Sequence, residues 1–255
     1  MCFTKRQGKN FDDEQGNSSK RDIKSTENLQ PTQSPPPPPA EPVNASDPAA
    51  ASAATTTAMS SPRIAILIYT MYGHVAKMAE SVKSGIEAAG GQASIFQIPE
   101  TLGQDILDLL KAPAKPAYPI FSVNQLTEYD AFVFGIPTRY GNFPVQWKAF
   151  WDSTGPLWAS GALAGKYVSV FVSTASPGGG QESTVMNALS TFTHHGMIFV
   201  PLGYSQTFAQ LTNLDEVHGG SPWGAGTFAG PTGSRQPTAL ESEARLRFSF
   251  PTFYH

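Results

Sequence analysis

Residues Arg63–Tyr69, RIAILIY, form an unbroken aliphatic and β-branched run. A strand with one wet face alternates apolar and polar residues, so a continuous run of this length reads as a strand buried on both faces. The run breaks at Thr70-Met71-Tyr72-Gly73-His74 and resumes with Val75, Met78, Ala79, Val82 and Ile86, a helical stripe that Gly90-Gly91 ends. A doubly buried strand followed at once by an amphipathic helix is the start of a parallel, doubly wound α/β sheet.

The pattern recurs. Ala93–Gln97, Ala131–Ile136, Tyr167–Ser173 and Met197–Pro201 read as four further strands. Helices are predicted around Asp105 to Lys111, Pro144–Trp151, Glu182–His194 and Pro237 to Arg247, with right-handed crossovers. After about residue 247 the helical pattern fails, and Pro251 would break it, so the final helix is expected to be truncated there. The folded domain is therefore assigned to residues 62–255, a length that supports a single core.

Residues 1–61 are of another kind. They hold the proline run Pro35 to Pro39 and the Ala/Thr stretch Ala49 to Ala58, with almost no large apolar residue to offset the entropy of ordering. A disordered tail is expected. Cys2, the one cysteine in 255 residues, excludes an intrachain disulfide framework and fits a reducing, cytoplasmic setting. Beside Lys5 and Arg6 it could be acylated and hold the chain peripherally at the plasma membrane; the alternative is an exposed thiol at a free end. No apolar run reaches the roughly 18 residues that span a bilayer. A net charge of −3 gives no reason to expect a nucleic-acid partner. No metal is expected.

In such sheets the ligand lies beyond the carboxyl ends of the strands, where strand order reverses. The loops after strands one, three and four are the ones to read. The first, Thr70, Met71, Tyr72, Gly73, His74 and Val75, enters a helix, so its amides face an anion site and Thr70 adds a hydroxyl. It lacks both G-x-G-x-x-G and the Gly-Lys-Ser/Thr ending of a nucleotide triphosphate loop. The second, Pro137, Thr138, Arg139, Tyr140, Gly141 and Asn142, offers amides, an amide side chain and an aromatic face, which suit a planar ring. The third, Ser173, Thr174, Ala175, Ser176, Pro177, Gly178 and Gly179, continues to Gly180, and its glycines allow close approach of backbone to a ligand. One phosphate loop with two loops suited to an aromatic system describes a mononucleotide with a large ring. FMN is the expected cofactor.

These residues also carry a resemblance. YTMYGH, GIPTRYGNFPVQWKAFWDSTGPLWASGALAGK, STASPGGGQES, HHGMIFVPLGY and GGSPWGAGTFAGPTGSRQPT are similar, in order and separation, to the WrbA-type NAD(P)H:quinone oxidoreductases, which are flavodoxin-like. The resemblance covers about Arg63 to Leu240, and the N-terminal extension is similar to that of fungal members. It implies a flavodoxin-like fold with strand order 2-1-3-4-5, one FMN per subunit, NADH or NADPH as hydride donor, a quinone as acceptor, and a homotetramer. It further implies that Thr70 to Val75 hold the phosphate, that Thr138, Arg139 and Tyr140 line the flavin, and that Ser173 to Gly179 close the third side. Tyr72 would face the nicotinamide, Trp158 the quinone, and His194 the FMN site, across a subunit boundary. Tyr72 and His194 are the catalytic candidates, and the segment Ala112 to Tyr129 matches the family's extra loop. Thr70 stands where bacterial members have serine and keeps the hydroxyl. Two other functions fit less of the sequence: an electron carrier that docks to protein partners, and a membrane-associated structural or regulatory flavoprotein.

Overall fold

The computed structural model describes residues 61–246, which lie in the larger of two units, Thr56–His255. The tail assigned to 1–61, but for its last residue, and the expected loss of helix near 247 fall outside the described residues. In chain order the elements are β1 (Arg63–Ile68), α1 (His74–Ala88), β2 (Gln92–Gln97), α2 (Gln104–Leu109), a 3-10 turn (Val123–Glu128) and β3 (Ala131–Pro137). Then come α3 (Val145–Asp152), α4 (Gly155–Ala159), β4 (Tyr167–Thr174), α5 (Gln181–His194), β5 (Ile198–Phe199), α6 (Phe208–Leu211), β6 (Ala225–Phe228) and α7 (Ala239–Leu246). Among the described residues no helix is long and apolar enough to cross a membrane.

The strands pair in the order β2-β1-β3-β4-β5, all parallel, as a flavodoxin-like sheet requires. Each central strand is buried on both faces. Ile64, Ile66 and Ile68 of β1 join Val75, Met78, Val82 and Ile86 of α1 on one side. Ala65 and Leu67 face the other layer, with Phe134, Trp147, Trp151 and Phe192. There Phe134 meets Trp147, Trp151 and Phe192 with ring centroids 5.3, 5.4 and 5.4 Å away. Two of the four tryptophans are thus core. Trp158 and Trp223 are exposed.

The fifth strand is where sequence and structure part. Met197–Pro201 was expected to form it alone, but only Ile198 and Phe199 pair with β4, at Tyr167 and Val168. Val200 still donates its N–H to Val168 at 2.8 Å, and then Pro201, with no N–H, cannot continue the ladder. The chain leaves, makes α6, and returns as β6 beside Phe171–Thr174 at the carboxyl end of β4. It returns very close. A Cβ at Gly224 would lie 2.5 Å from the Val170 carbonyl, and one at Gly226 would lie 2.2 Å from Gln181 Oε1.

Gly135, in the middle of β3, is similarly confined: a Cβ there would stand 2.5 Å from Phe171 Cζ and 2.7 Å from Val75 Cγ1. Gly135→Ala therefore crowds the buried Phe171 ring and Val75, and should lower stability by about 1–3 kcal/mol, read as a lower urea midpoint with unchanged slope. Gly155→Ala, whose Cβ meets nothing within 4 Å, is the control and should leave the midpoint level or raise it.

Candidate active site

Because β1, β3, β4 and β6 run parallel, their carboxyl ends open onto one edge of the sheet. The loops that follow them enclose a cleft of about 490 Å³, well within the size range of small-molecule sites.

The first loop is shaped by its own residues. The buried Thr70 accepts the Gly73 N–H at its Oγ1, at 3.1 Å. Gly73 takes φ +88°, open to glycine and strained for other residues, although a Cβ would meet nothing within 4 Å. The first helical bond at this end runs from Lys77 N–H to Gly73 O, at 3.0 Å. The amides of His74, Val75 and Ala76 thus precede any intrahelical acceptor. No acidic residue stands in the first turn of α1 to neutralise its positive end. Thr70, Met71, Tyr72, His74 and Val75 line the cleft. The His74 side chain turns aside and donates from Nε2 to the Arg235 carbonyl at 3.0 Å.

In the second loop Arg139 and Asn142 exchange both backbone hydrogen bonds, at 3.0 Å each. Tyr140 (φ 54°) and Gly141 (φ 71°) sit between them, as a two-residue turn of the primed kind demands. Tyr140 is a non-glycine residue in that strained region, and its side chain is fully exposed. The loop is pinned below: Asn187 donates to the Gly141 carbonyl at 2.7 Å, and Thr138 and Thr184 share a 2.6 Å hydroxyl contact. Arg139 donates to the Thr138 carbonyl at 2.8 Å. Pro137, Thr138 and Arg139 line the cleft; Tyr140 and Asn142 do not. The latter two face a second cavity of about 870 Å³ that meets the first at Met71, Tyr72 and Arg139. Asn142 was expected to address ring atoms, but its Oδ1 accepts the Phe143 N–H at 2.7 Å.

In the third loop only Ser173, Thr174, Ala175 and Gly179 line the cleft, while Ser176, Pro177 and Gly178 form an exposed tip. The glycines are not equivalent. A Cβ at Gly179 would lie 2.8 Å from both the Ser176 carbonyl and Thr174 Cβ, Gly180 needs φ +91°, and Gly178 meets nothing within 4 Å. The close approach at Gly179 is the loop's own.

The sequence reading missed a fourth wall. Ala229, Gly230, Pro231, Thr232 and Gly233 follow β6 and complete the cleft. Ala229 and Gly230 donate to the Thr174 and Ala175 carbonyls at 2.8 and 3.0 Å, stitching this wall to the third loop. Its signals in the sequence were the density of small residues around Gly230 and its place in GGSPWGAGTFAGPTGSRQPT, a segment that carried the resemblance but was given no site role.

It also missed the carboxylate behind the first loop. Glu100 accepts from Tyr69 Oη at 3.0 Å, Gln146 Nε2 at 2.8 Å, and the Thr101 and Leu102 amides at 2.9 and 3.1 Å. Lys115 pairs with it at 2.9 Å, lies 4.5 Å above the Tyr69 ring, and donates to the Thr70 carbonyl at 2.6 Å. Burial alone would raise the Glu100 carboxyl, but Lys115, the two amides and Gln146 outweigh it and hold it at about 2. Burial, and then Glu100 itself, pushes the Tyr69 phenol upward.

Gly73 and Gly141 shape their loops without lining the cleft, and two further expected residues lie away from it. His194 ends α5, which starts two residues after the cleft residue Gly179, so a 14-residue helix carries it about 20 Å away. Trp158, exposed in α4, lies past the far end of α3. Near them the buried His195 contacts Thr154 Oγ1 at 2.9 Å, and burial, then His194, pulls its pKa down.

The flavodoxin family model matches residues 66–196. The NAD(P)H quinone oxidoreductase PST3 of Candida albicans is 64% identical over 183 residues, which cover 72% of this chain and 92% of that protein. Protoplast secreted protein 2 of Saccharomyces cerevisiae is 63% identical over 193 residues, covering 76% and 96%. A flavodoxin, WrbA-like protein from Agrobacterium tumefaciens shares the fold, with a TM-score of 0.50 at 23% identity over 73% of this chain and 92% of that one.

Glu100 supplies a pH-dependent prediction. Its pKa is depressed from 4.5, so its contribution to stability is complete above that value and is lost as pH falls toward about 2. Glu100→Gln should cost about 1–2 kcal/mol near pH 7, less than the shift alone implies because the pair is partly solvated, and the gap to wild type should close in acid. Denaturant unfolding of both proteins across that range checks it; a gap independent of pH contradicts it.

Proposed function

Because the chain belongs to the flavodoxin family, in the branch of the fungal NAD(P)H quinone oxidoreductases, we propose that it is an FMN-dependent NAD(P)H:quinone oxidoreductase. The observation that carries this reading is an uncompensated helix N-terminus at the cleft, next to a strained, ring-bearing hairpin on the cavity that meets the cleft at Met71, Tyr72 and Arg139. The helix end suits one phosphate group. The helix that starts beside the cleft after Gly179, α5, carries Glu182 in its first turn, which disfavours a second anion there and favours FMN over FAD.

When bound, FMN would supply the redox chemistry: acceptance of a hydride from NAD(P)H and reduction of a quinone by two electrons and two protons to the hydroquinone. The protein binds, orients and shields. Thr70 Oγ1 and the amides of Tyr72, His74 and Val75 would hold the phosphate, with the Gly73 amide kept for Thr70. Thr138 and Arg139 would line the ring, Tyr140 would offer it an apolar edge, and Ser173, Thr174, Ala175 and Gly179 would close the third side. Tyr72 stands at the seam between the two cavities, where a nicotinamide would reach the ring. In a homotetramer, the exposed Trp158 and His194 of one subunit would serve the cleft of another, Trp158 against the quinone and His194 as a proton or charge partner.

Purified protein should show a flavin spectrum that NAD(P)H bleaches and benzoquinone restores, and light scattering should give four copies. Protein that stays colourless and shows no thermal shift with FMN overturns the reading. Flavin that binds but resists NAD(P)H makes the protein an electron carrier. Gly179→Val, which must open the third loop, should weaken FMN binding by about 1 kcal/mol or more while the fold survives. Wild-type affinity in a titration of that variant would remove the third loop from the site.

A further inference from the structure

The fourth wall, 229–233, contains no helix or strand, yet it stands against the positive end of α1. Its first two amides tie it to the third loop; what ties it to α1 is Arg235. Its carbonyl accepts from His74 Nε2 in the first turn of α1, at 3.0 Å. Its guanidinium reaches the other way: Nη1 donates to the Phe228 carbonyl at 2.7 Å and to Glu241 Oε1 at 3.1 Å, and Nη2 to the Val217 carbonyl at 2.7 Å.

Glu241 lies in α7, and its side chain is wholly buried. Besides Arg235, its Oε1 accepts the Gly219 N–H at 2.9 Å, and its Oε2 accepts Thr227 Oγ1 at 2.8 Å and the Thr238 N–H at 2.9 Å. The Glu241 N–H returns to Thr238 Oγ1 at 3.2 Å, so the same carboxylate caps α7. One buried charge thus gathers α7, β6, the segment returning to β6, and the cleft wall. Losing one partner of such a pair leaves a buried charge uncompensated, so the arrangement is complete or broken, with little between. α7 itself packs along α1, the helix whose first turn faces the cleft.

We infer that the Arg235–Glu241 pair is a latch that positions the wall 229–233 against the α1 N-terminus, so that docking of α7 and occupancy of the cleft are coupled. Neither residue lines the cleft; both are positioning residues. The inference rests on the FMN reading above. Coupling is reciprocal: breaking the latch weakens the ligand, and the ligand protects α7.

The test uses the full chain with FMN. In wild type, FMN should slow amide hydrogen exchange across Ala239–Leu246. Glu241→Gln should raise the FMN dissociation constant by about tenfold or more, abolish that slowing, and leave turnover at saturating FMN near wild type. Arg235→Lys, which keeps the charge but loses the fork, should act in the same direction and decides the matter if Glu241→Gln does not fold. A folded variant with wild-type FMN affinity, or wild-type α7 exchange indifferent to FMN, overturns the latch. Wild type that binds no FMN overturns instead the function beneath it, and shows this before any variant is made.

Discussion

The turn from β1 into α1 is the constraint on which the cleft depends. The backbone takes a left-handed step at Gly73, and Thr70 Oγ1 closes the turn by accepting the Gly73 amide. That step aims the first amides of α1 beyond the sheet edge, where no acidic side chain of the first turn meets them. A fixed array of donors costs a ligand nothing in reorganisation, which is why such a turn is worth holding rigid.

Two carboxylates hold it, from opposite sides. On the outer side Glu100 fixes Lys115, and Lys115 reaches the Thr70 carbonyl. Tyr72 adds a bond from its hydroxyl to the Leu110 carbonyl, at 3.1 Å. On the inner side Glu241 fixes Arg235, and the Arg235 carbonyl takes the His74 ring. Glu100 is partly exposed and Glu241 is not, so the two differ in how they fail. Acid loosens the outer strap by protonation, whereas the inner latch is tied to the seating of a helix. The loop itself contributes little to its own rigidity beyond the Thr70 hydroxyl.

What was legible in the sequence follows from burial. β1, β3 and β4 are covered on both faces, so their apolar runs are continuous and announce themselves; α1 shows its stripe because one face meets the sheet. β6 was invisible because its neighbourhood has room only for backbone: Gly224 and Gly226 are pressed against Val170 and Gln181, and a run of small residues carries no periodic signal. Its wall of the cleft was lost with it. Glu100 and Glu241 were illegible for another reason. Their partners lie far off in sequence, as with Glu100 and Lys115 or Glu241 and Thr227, and no spacing rule brings them together. His194 and Trp158 entered only through resemblance, and helix length carries both away from their own chain's cleft.

The second cavity gives the arrangement its functional sense. A flavin enzyme that serves a hydride donor and then a quinone needs a phosphate end that is held and a ring end that two partners can reach in turn. The cleft is walled by four loops, and its far side meets the larger cavity at Met71, Tyr72 and Arg139. Tyr140 stands beside that seam on a backbone no tyrosine adopts for its own stability, with its side chain in solvent. Strain of that kind persists only where the surroundings over-determine it, and here they do: the paired amides of Arg139 and Asn142 and the Asn187 bond to Gly141 leave the turn no alternative. The fold therefore holds an aromatic side chain rigidly at the larger cavity, beside the seam that this cavity shares with the cleft.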